Sequence, residues 1–204
     1  MVRVVKKPVQ RRREIIAASR KLFLKKGYEN TTMQDVMATL QIAKGTTYHY
    51  FKSKAELLEA VVEDMVDEYI SKVAKVLKNC QGNALEKMRV LVEAGRSKGV
   101  DMVEGLHLAG NMGMHVRLLA ETITRLAPLY ARVIEQGCEE GVFHTEHPLE
   151  CAEVLLGGIQ FLTDVGCYPW KKQDLTRRMQ AIPELLENQL QASKNSLNFL
   201  FEQS

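Results

Sequence analysis

Hydrophobic residues recur at helical spacing along most of the chain, and the strict alternation typical of a half-buried β-strand is almost absent. The pattern predicts a first amphipathic helix over about 10–26, followed by Gly27 at a position where helices commonly end. Thr32 and Asp35 have the spacing of a capping box, which predicts a second helix of about two turns. The chain is therefore expected to begin with two helices joined by a short loop.

A polar segment from Lys44 to Phe51 comes next and is too short for a core helix. After it, Ser53 and Glu56 form a second capping box and begin a long helix whose apolar pairs recur every four residues. The glycine-containing segment 79–83 ends this helix, which at ~1.5 Å per residue reaches about 35 Å. That length is enough to connect a small N-terminal head to a separate body.

The remaining chain predicts a helical body. Its helices are expected over about 84–96, 114–125, 128–140, 148–165 and 175–201, with Pro183 kinking the last one. Glycines at 99, 105, 110 and 113 interrupt the pattern and predict either a bend or close helix packing. We therefore predict an all-α fold, with a three-helix head over 1–58 joined by a long helix to a helical body over 59–204.

Composition agrees with a soluble protein of one or two domains, because 46% of the 204 residues are hydrophobic and 26% are charged. The longest apolar stretch, 154–163, is shorter than the ~20 residues of a membrane span, and 1–13 lack the apolar core of a signal peptide. The cysteines are widely spaced, which predicts no disulfide framework and favours the reducing cytoplasm. We expect neither a metal nor a cofactor, since no metal-binding template fits the cluster Cys138, His144, His147 and Cys151.

Charge is distributed unevenly along the chain. Residues 1–60 carry 13 Lys or Arg and 5 Asp or Glu, a net charge of +8, whereas the remaining chain has a net charge of −5. A basic head on an acidic body indicates a polyanionic partner at one end, with nucleic acid favoured over an anionic membrane surface. A solvated lysine-rich face is the alternative that charge alone leaves open.

Two short helices joined by a tight turn, over about 32–51, have the organisation of a DNA-reading helix-turn-helix. The second helix would enter the major groove with its N-terminus first, where Lys44 reaches a phosphate or a guanine edge and Thr46 meets the bases. Gly45 removes a side chain where the helix comes closest to DNA. The candidate DNA-contacting residues are Thr32, Lys44, Gly45, Thr46, Thr47, Tyr48, His49 and Lys54.

The chain from about residue 10 to residue 58 resembles the N-terminal domain of the TetR family of bacterial transcriptional regulators. The resemblance rests on Arg13, Ile15, Ala17-Ala18, Leu22-Phe23, Gly27-Tyr28, Thr31-Thr32-Met33, Val36-Met37-Ala38, the run 42–51, Ser53-Lys54 and Glu56-Leu57. Leu40-Gln41-Ile42 replaces the usual Ala-Gly-Val, so the turn lacks its glycine. Thr47 stands where an aliphatic residue is common, and it either packs inward or reads DNA.

The resemblance implies a homodimer whose last two helices form a four-helix interface, with a small-molecule pocket in each body. Ligand entry would change the separation of the heads and release a palindromic operator, as in a repressor. The broad apolar stripes of the closing helices independently favour an interface there, with candidates Leu155, Ile159, Leu162, Leu186, Leu190 and Leu197. The pocket candidates, for which core packing is the alternative, are Met102, His107, Met112, Met114, Phe161, Tyr168 and Trp170.

Two other classes of function stay open at this point. A helical enzyme or a carrier of a lipid-like molecule would leave the basic head unexplained, and no catalytic motif stands out, so we do not expect an enzyme. A protein that coats DNA without sequence preference, or that binds a membrane surface, accounts for the charge but not for the turn. We therefore predict a DNA-binding regulator that responds to a small, apolar effector.

Overall fold

The computed structural model describes residues 8–96 and 104–200, and these are almost entirely helical. The helices are α1 (Pro8–Lys26), α2 (Met33–Leu40), α3 (Lys44–Tyr50), α4 (Lys54–Asn79), α5 (Ala84–Arg96), α6 (Met112–Glu139), α7 (Pro148–Thr163) and α8 (Lys172–Gln189). Single 3₁₀ turns lie at Ala109–Asn111 and Asn198–Leu200. The all-α prediction is confirmed.

The described chain forms two compact units. Residues 8–67 and 104–118 make up the N-terminal unit, and residues 68–96 and 119–200 make up the C-terminal unit. Helices α4 and α6 each contribute residues to both units. Within the described ranges, none of the helices combines the length and the apolar character that crossing a membrane requires.

In the N-terminal unit, α1 packs on α2 around the buried side chains of Ile15, Phe23 and Val36. The segment that follows residue 104 is fixed to the end of α1 by the buried side chain of Asn111. Its Nδ2 donates to the carbonyl oxygen of Phe23 at 2.7 Å, and its Oδ1 accepts from the backbone N–H of Tyr28 at 2.6 Å. These bonds tie the segment to the C-terminal end of α1, where the carbonyl oxygen of Phe23 also accepts from the backbone N–H of Gly27 at 2.9 Å.

At Gly105 the structure distinguishes between the two explanations for the interrupting glycines, which are a bend and close helix packing. A Cβ there would lie 2.8 Å from the carbonyl oxygen of Leu24, so the glycine allows two backbone segments to approach closely. Close packing is therefore the reason for this glycine. Gly99, another of the interrupting glycines, lies outside the described residues.

The turn between α2 and α3 keeps a left-handed residue although its usual glycine is missing. Gln41 takes φ 53° and ψ 44°. Its backbone N–H donates to the carbonyl oxygen of Ala38. For a side-chain-bearing residue this conformation costs roughly 1 kcal/mol, which the packing of α2 and α3 must offset. The substitution thus changes the energy of the turn and leaves the helix-turn-helix geometry in place.

The predicted break between two helices at residues 125–128 is wrong, because α6 continues through Pro128 as one helix. Proline removes one backbone hydrogen bond from a helix interior. Buried residues flank it on both sides, including Leu126 and Ala127 before it and Ala131 after it. Packing against the core of the C-terminal unit therefore outweighs the local preference for a break.

The predicted last helix, 175–201, is also too long, since α8 ends at Gln189. Gln191 and Asn195 take φ values of 46° and 66°, which turn the chain back. The buried carboxylate of Glu187 accepts the backbone N–H groups of Asn195 at 3.0 Å and Leu197 at 2.9 Å. Pro183 lies inside α8. A buried acceptor thus folds this segment onto the unit and replaces further helical hydrogen bonds.

Candidate DNA-binding surface and ligand cavity

Helix α2 begins with the predicted capping box. The backbone N–H of Thr32 donates to Asp35 Oδ2 at 2.7 Å, and the N–H of Asp35 donates to Thr32 Oγ1 at 3.2 Å. Lys26 Nζ lies 2.8 Å from the same carboxylate. The hydrogen bond from Lys26, together with those from Thr32, holds the pKa of Asp35 well below its usual value. Thr32 is exposed, so its side chain both fixes the helix and stays accessible.

Helix α3 has one buried face and one accessible face. Lys44, Gly45 and His49 are exposed, and Thr46 and Tyr48 are partly exposed. The ammonium of Lys44 lies 5.7 Å from the centroid of the Tyr48 ring, so both side chains occupy the same side of the helix. Five of the six candidates on α3 thus face outward together.

Thr47 lies on the other face of α3. Its side chain is fully buried, and its Oγ1 has no hydrogen-bond partner among the described residues. The alternative in which this threonine packs inward is therefore the one that the structure takes, so Thr47 does not belong to the accessible surface. Phe51, which follows the helix, is buried as expected.

Gly45 is one of several glycines whose identity the fold does not explain. A Cβ at this position would meet no atom within 4 Å, and its φ is not positive. Glycine within a helix is destabilising by roughly 0.5–1 kcal/mol relative to alanine. Neither internal packing nor backbone conformation therefore requires glycine here, and the exposed position leaves room for another molecule to approach the helix backbone closely.

Lys54 is held inside the N-terminal unit. Its ammonium donates to the carbonyl oxygens of Tyr28 at 3.0 Å and Glu29 at 3.2 Å, and it lies 4.4 Å from the centroid of the Tyr28 ring. These contacts attach the start of α4 to the loop after α1. The half-buried Lys54 therefore holds the start of α4 against the loop after α1 in this structure.

Lys52 is a basic residue at this surface that is absent from the predicted DNA-contacting residues. Its side chain is exposed, and its ammonium donates to the carbonyl oxygen of Tyr48 at 2.9 Å at the end of α3. The available signal was a lysine directly after a short helix, a position that suits the negative end of the helix dipole. The capping box predicted at Ser53 is only half formed, since Glu56 accepts from the N–H of Lys52.

The C-terminal unit contains a partly open cavity of about 280 Å³. Helices α4 to α8 and the segment after α8 all contribute to its wall. Its lining residues are Tyr69, Met88, Val92, Gly95, Leu126, Tyr130, Leu155, Leu156, Ile159, Gln160, Thr163, Met179, Leu186, Leu190 and Leu197. Mainly apolar cavities with a few polar groups are typical of small-molecule sites.

None of the residues predicted for a pocket lines this cavity. Met102 lies outside the described residues. His107, Met112 and Met114 belong to the N-terminal unit, where Met114 is fully buried and Met112 is exposed. Phe161 and Tyr168 are 45% and 56% exposed, and Trp170 packs against the guanidinium of Arg178 at 3.7 Å. The prediction selected residue types that suit ligands, but the register of α7 turns Phe161 away from the cavity.

The residues that do form its polar part were not predicted. Burial raises the pKa of Tyr130, and the neighbouring Tyr69 raises it further. Gln160 was visible in the sequence as the one amide within the uncharged run 154–163. A polar residue on an apolar helix face was the signal that could have identified it.

The predicted dimer residues fall into two groups. Leu190 and Leu197 are 1% and 0% exposed and line the cavity, so they are core residues, whereas Leu186, at 6% exposed, lines both the cavity and the outer surface of α7 and α8. Leu162, in contrast, is 49% exposed, and Leu155 and Ile159 are half-buried. For Leu190 and Leu197 the prediction is wrong, because the end of α8 and the segment after it bury both side chains inside the unit. For Leu155, Ile159, Leu162 and Leu186 an interface stays a prediction.

A second apolar stripe on α7 and α8 remains open to solvent, and we call it the α7–α8 face. Val154 and Leu185 on it are 64% and 62% exposed. Gly158 on α7 has no atom within 4 Å of its Cβ position. The face consists of Val154, Leu155, Gly158, Ile159, Leu162, Arg177, Arg178, Ala181, Ile182, Leu185, Leu186 and Gln189.

Comparison with known proteins agrees with these features. A model of bacterial regulatory proteins of the tetR family matches residues 15–61, and a model of the tetracyclin repressor-like C-terminal domain matches residues 96–185. A crystal structure of a TetR-family transcriptional regulator from Pectobacterium atrosepticum is 20% identical, covers 91% of this chain and 97% of that chain, and gives a TM-score of 0.65. This structural match supports the fold.

Two curated relatives are similar over part of their length. The HTH-type transcriptional repressor KstR2 of Mycolicibacterium smegmatis is 31% identical over 43% of this chain and 42% of that protein. The HTH-type transcriptional regulator YfiR of Bacillus subtilis is 25% identical over 69% of this chain and 71% of that protein. The first alignment thus spans less than half of the relative. The helix-turn-helix, the helical C-terminal unit and both family models agree, and the chain belongs to the TetR family of DNA-binding transcriptional regulators.

Proposed function

We propose that this protein is a repressor that binds a palindromic operator as a homodimer and releases it when a small molecule occupies the cavity of the C-terminal unit. In this proposal residues 1–58 form the DNA-binding domain and residues 59–204 form the effector-binding and dimerisation domain. Exposed Gly45, flanked by Lys44 and Thr46 on the accessible face of α3, carries the proposal. Repression is the activity named for KstR2, and we extend it to this chain as a proposal.

The accessible face of α3 suits a DNA groove chemically. Lys44 supplies a positive charge for a phosphate or a guanine edge, and Thr46 offers a hydroxyl and a methyl group to base edges. Tyr48 and His49 add donors for phosphate oxygens. Thr32 extends the surface to the start of α2. We propose these residues and Gly45 as the DNA-contacting set, leave out the buried Thr47, and assign Lys54 a supporting role.

Dimerisation accounts for the α7–α8 face. Large apolar side chains such as Val154 and Leu185 are rarely exposed side by side on a monomer unless the patch binds something. Gly158 in the middle of this face allows close approach of another helix. A two-fold pair of these faces would place two recognition helices on one operator, since a single short helix contacts too few bases for specificity.

The proposal is tested by measuring DNA affinity at ~50 and ~200 mM salt. Fluorescence anisotropy would compare the duplex upstream of the protein's own gene with a scrambled duplex of equal length. We expect Lys44→Ala to weaken operator binding at least tenfold and to reduce the logarithmic salt slope by about one, since one phosphate contact is lost. Lys75→Ala, which alters an exposed lysine on α4, serves as the control.

Sedimentation should give the same mass for wild type and both variants, because neither lysine lies on the α7–α8 face. Equal affinity for the scrambled duplex would indicate a DNA-coating protein instead of an operator-specific one. If Lys44→Ala bound as tightly as Lys75→Ala, α3 would not be the DNA-reading element.

A further inference from the structure

The wall of the cavity in the C-terminal unit contains no ionisable group that is charged near neutral pH, among the described residues that line it. Eleven of the fifteen lining residues are aliphatic, methionine or glycine, and the other four are Tyr69, Tyr130, Gln160 and Thr163. An ion moved from water into such surroundings would lose its hydration without gaining a countercharge. The cavity therefore selects against anions and cations alike.

The tyrosine hydroxyls of this wall stay protonated. Burial raises the pKa of Tyr69 and, more strongly, that of Tyr130, whose pKa the neighbouring Tyr69 raises further. Both phenols thus remain neutral donors well above neutral pH. Thr163 already donates its hydroxyl to the carbonyl oxygen of Ile159 at 2.6 Å.

Gln160 supplies the acceptor. Its Oε1 is buried, and none of the described residues offers it a hydrogen bond. Buried polar atoms in proteins almost always have a partner, so a buried acceptor without a protein donor needs one that enters from elsewhere. Gln160 lines the cavity, so a molecule that enters the cavity is the candidate for this partner. Water can fill this role between ligands, and a ligand that displaces the water must replace its hydrogen bond.

From these observations, and resting on the proposed effector function of this cavity, we infer that the effector is an uncharged, mainly apolar molecule with a hydrogen-bond donor, such as a hydroxyl, which Gln160 Oε1 accepts. The volume of about 280 Å³ suits a compact molecule such as a small ring system. Met88 and Met179 in the wall adapt to different ring shapes because methionine has several rotatable bonds. The polar donor then fixes the orientation of an otherwise apolar ligand.

Three probes with one ring system test this inference. Isothermal titration calorimetry near pH 7 would measure binding of 2-naphthol, which is a neutral donor, 2-methoxynaphthalene, which is only an acceptor, and 2-naphthoate, which is an anion. For the full-length wild type we expect 2-naphthol to bind roughly 2- to 10-fold more tightly than 2-methoxynaphthalene. We expect 2-naphthoate to bind at least tenfold more weakly than 2-naphthol, because its charge has no partner in the wall.

Substitution of Gln160 tests whether its Oε1 causes the preference for 2-naphthol over 2-methoxynaphthalene. Gln160→Leu should reduce the affinity for 2-naphthol to that for 2-methoxynaphthalene, and Gln160→Met, which keeps an unbranched side chain, should do the same if the leucine variant does not fold. Gln173→Leu, at an exposed position in the first turn of α8, should keep the wild-type preference. Circular dichroism would verify that each variant retains the helical fold.

Three results would overturn the inference: tightest binding of 2-naphthoate or 2-methoxynaphthalene, a preference for 2-naphthol that survives in both Gln160 variants, or binding of none of the probes. The same proteins titrated with operator DNA without probe separate this from the proposed function. If the wild type selects its operator but lacks the probe preference, only the effector chemistry is wrong. If the wild type does not select its operator, the proposed function fails whatever the calorimetry shows.

Discussion

Replacing Gly45 with alanine should make the protein more stable and its DNA binding weaker. The new methyl group meets no atom within 4 Å, so it causes no clash inside the chain. Gly45 is the second residue of the seven-residue helix α3, and the gain should lie at the lower end of the usual range, about 0.5 kcal/mol. For a protein of this size that corresponds to a rise in Tm of about 1–2 °C.

The same methyl group should obstruct DNA. If α3 lies in the major groove with its N-terminus leading, the added atom enters a closely packed contact, and overpacking of this kind costs roughly 1–3 kcal/mol. That range corresponds to about 5- to 150-fold weaker operator binding. Gly113→Ala is the matched control, because Gly113 is also the second residue of an exposed helix start and also has no atom within 4 Å of its Cβ position.

Differential scanning calorimetry and fluorescence anisotropy on the same preparations give both quantities. We expect Gly45→Ala and Gly113→Ala to raise Tm by similar amounts, and only Gly45→Ala to weaken operator binding. Unchanged operator affinity in Gly45→Ala would refute the argument that a close external contact explains the glycine. A fall in Tm would refute the claim that a methyl group at Gly45 meets no other atom of the chain.

Two further predictions concern the α7–α8 face and the start of α2. Leu185→Glu should raise the dissociation constant of the dimer at least ~100-fold, or about 3 kcal/mol, because it places charges in an apolar contact. The control variant Val76→Glu, at a 47% exposed position on α4, should stay dimeric in sedimentation. A dimeric Leu185→Glu would exclude this face. Asp35 has a lowered pKa in the folded protein, so the stability that its bonds to Lys26 and Thr32 contribute is fully present above its usual pKa of 3.8. This contribution declines as the pH falls from there through the lowered folded-state pKa. Between about pH 5 and 3 the Tm of wild type should therefore fall more steeply than that of Asp35→Asn, and parallel Tm curves would contradict this.

Local signals predicted the N-terminal unit well. Gly27 has φ 90° directly after α1, and Thr32 and Asp35 make the reciprocal bonds of a capping box. These features depend on residues three or four positions apart, so the sequence contains them completely. The structure was needed to place Thr47 on the inward face of α3, Lys52 at the end of that helix, and Lys54 against the loop after α1.

The cavity could not be predicted in the same way. Phe161 and Tyr168 have the chemistry of pocket residues but are exposed, whereas Gln160 and Tyr130, which gave weaker signals, line the wall. The orientation of α7 relative to α5 and α6 decides which of these side chains faces inward. That orientation results from contacts between residues far apart in the chain, which periodicity along one helix does not report.

The sequence by itself determined the all-helical class, the bounds of α2 and α5, and the position of the helix-turn-helix, because helix signals and capping act within a few residues. Only the tertiary structure decided that Leu190 and Leu197 belong to the core while Val154 and Leu185 remain outside. It also decided that α6 passes through Pro128 and that α8 ends at Gln189. The physical reason is that local helix propensity is weak compared with the free energy of burying apolar side chains against the rest of the unit. Helices α7 and α8 each carry two apolar stripes, and only the packing of the unit selects which stripe is buried.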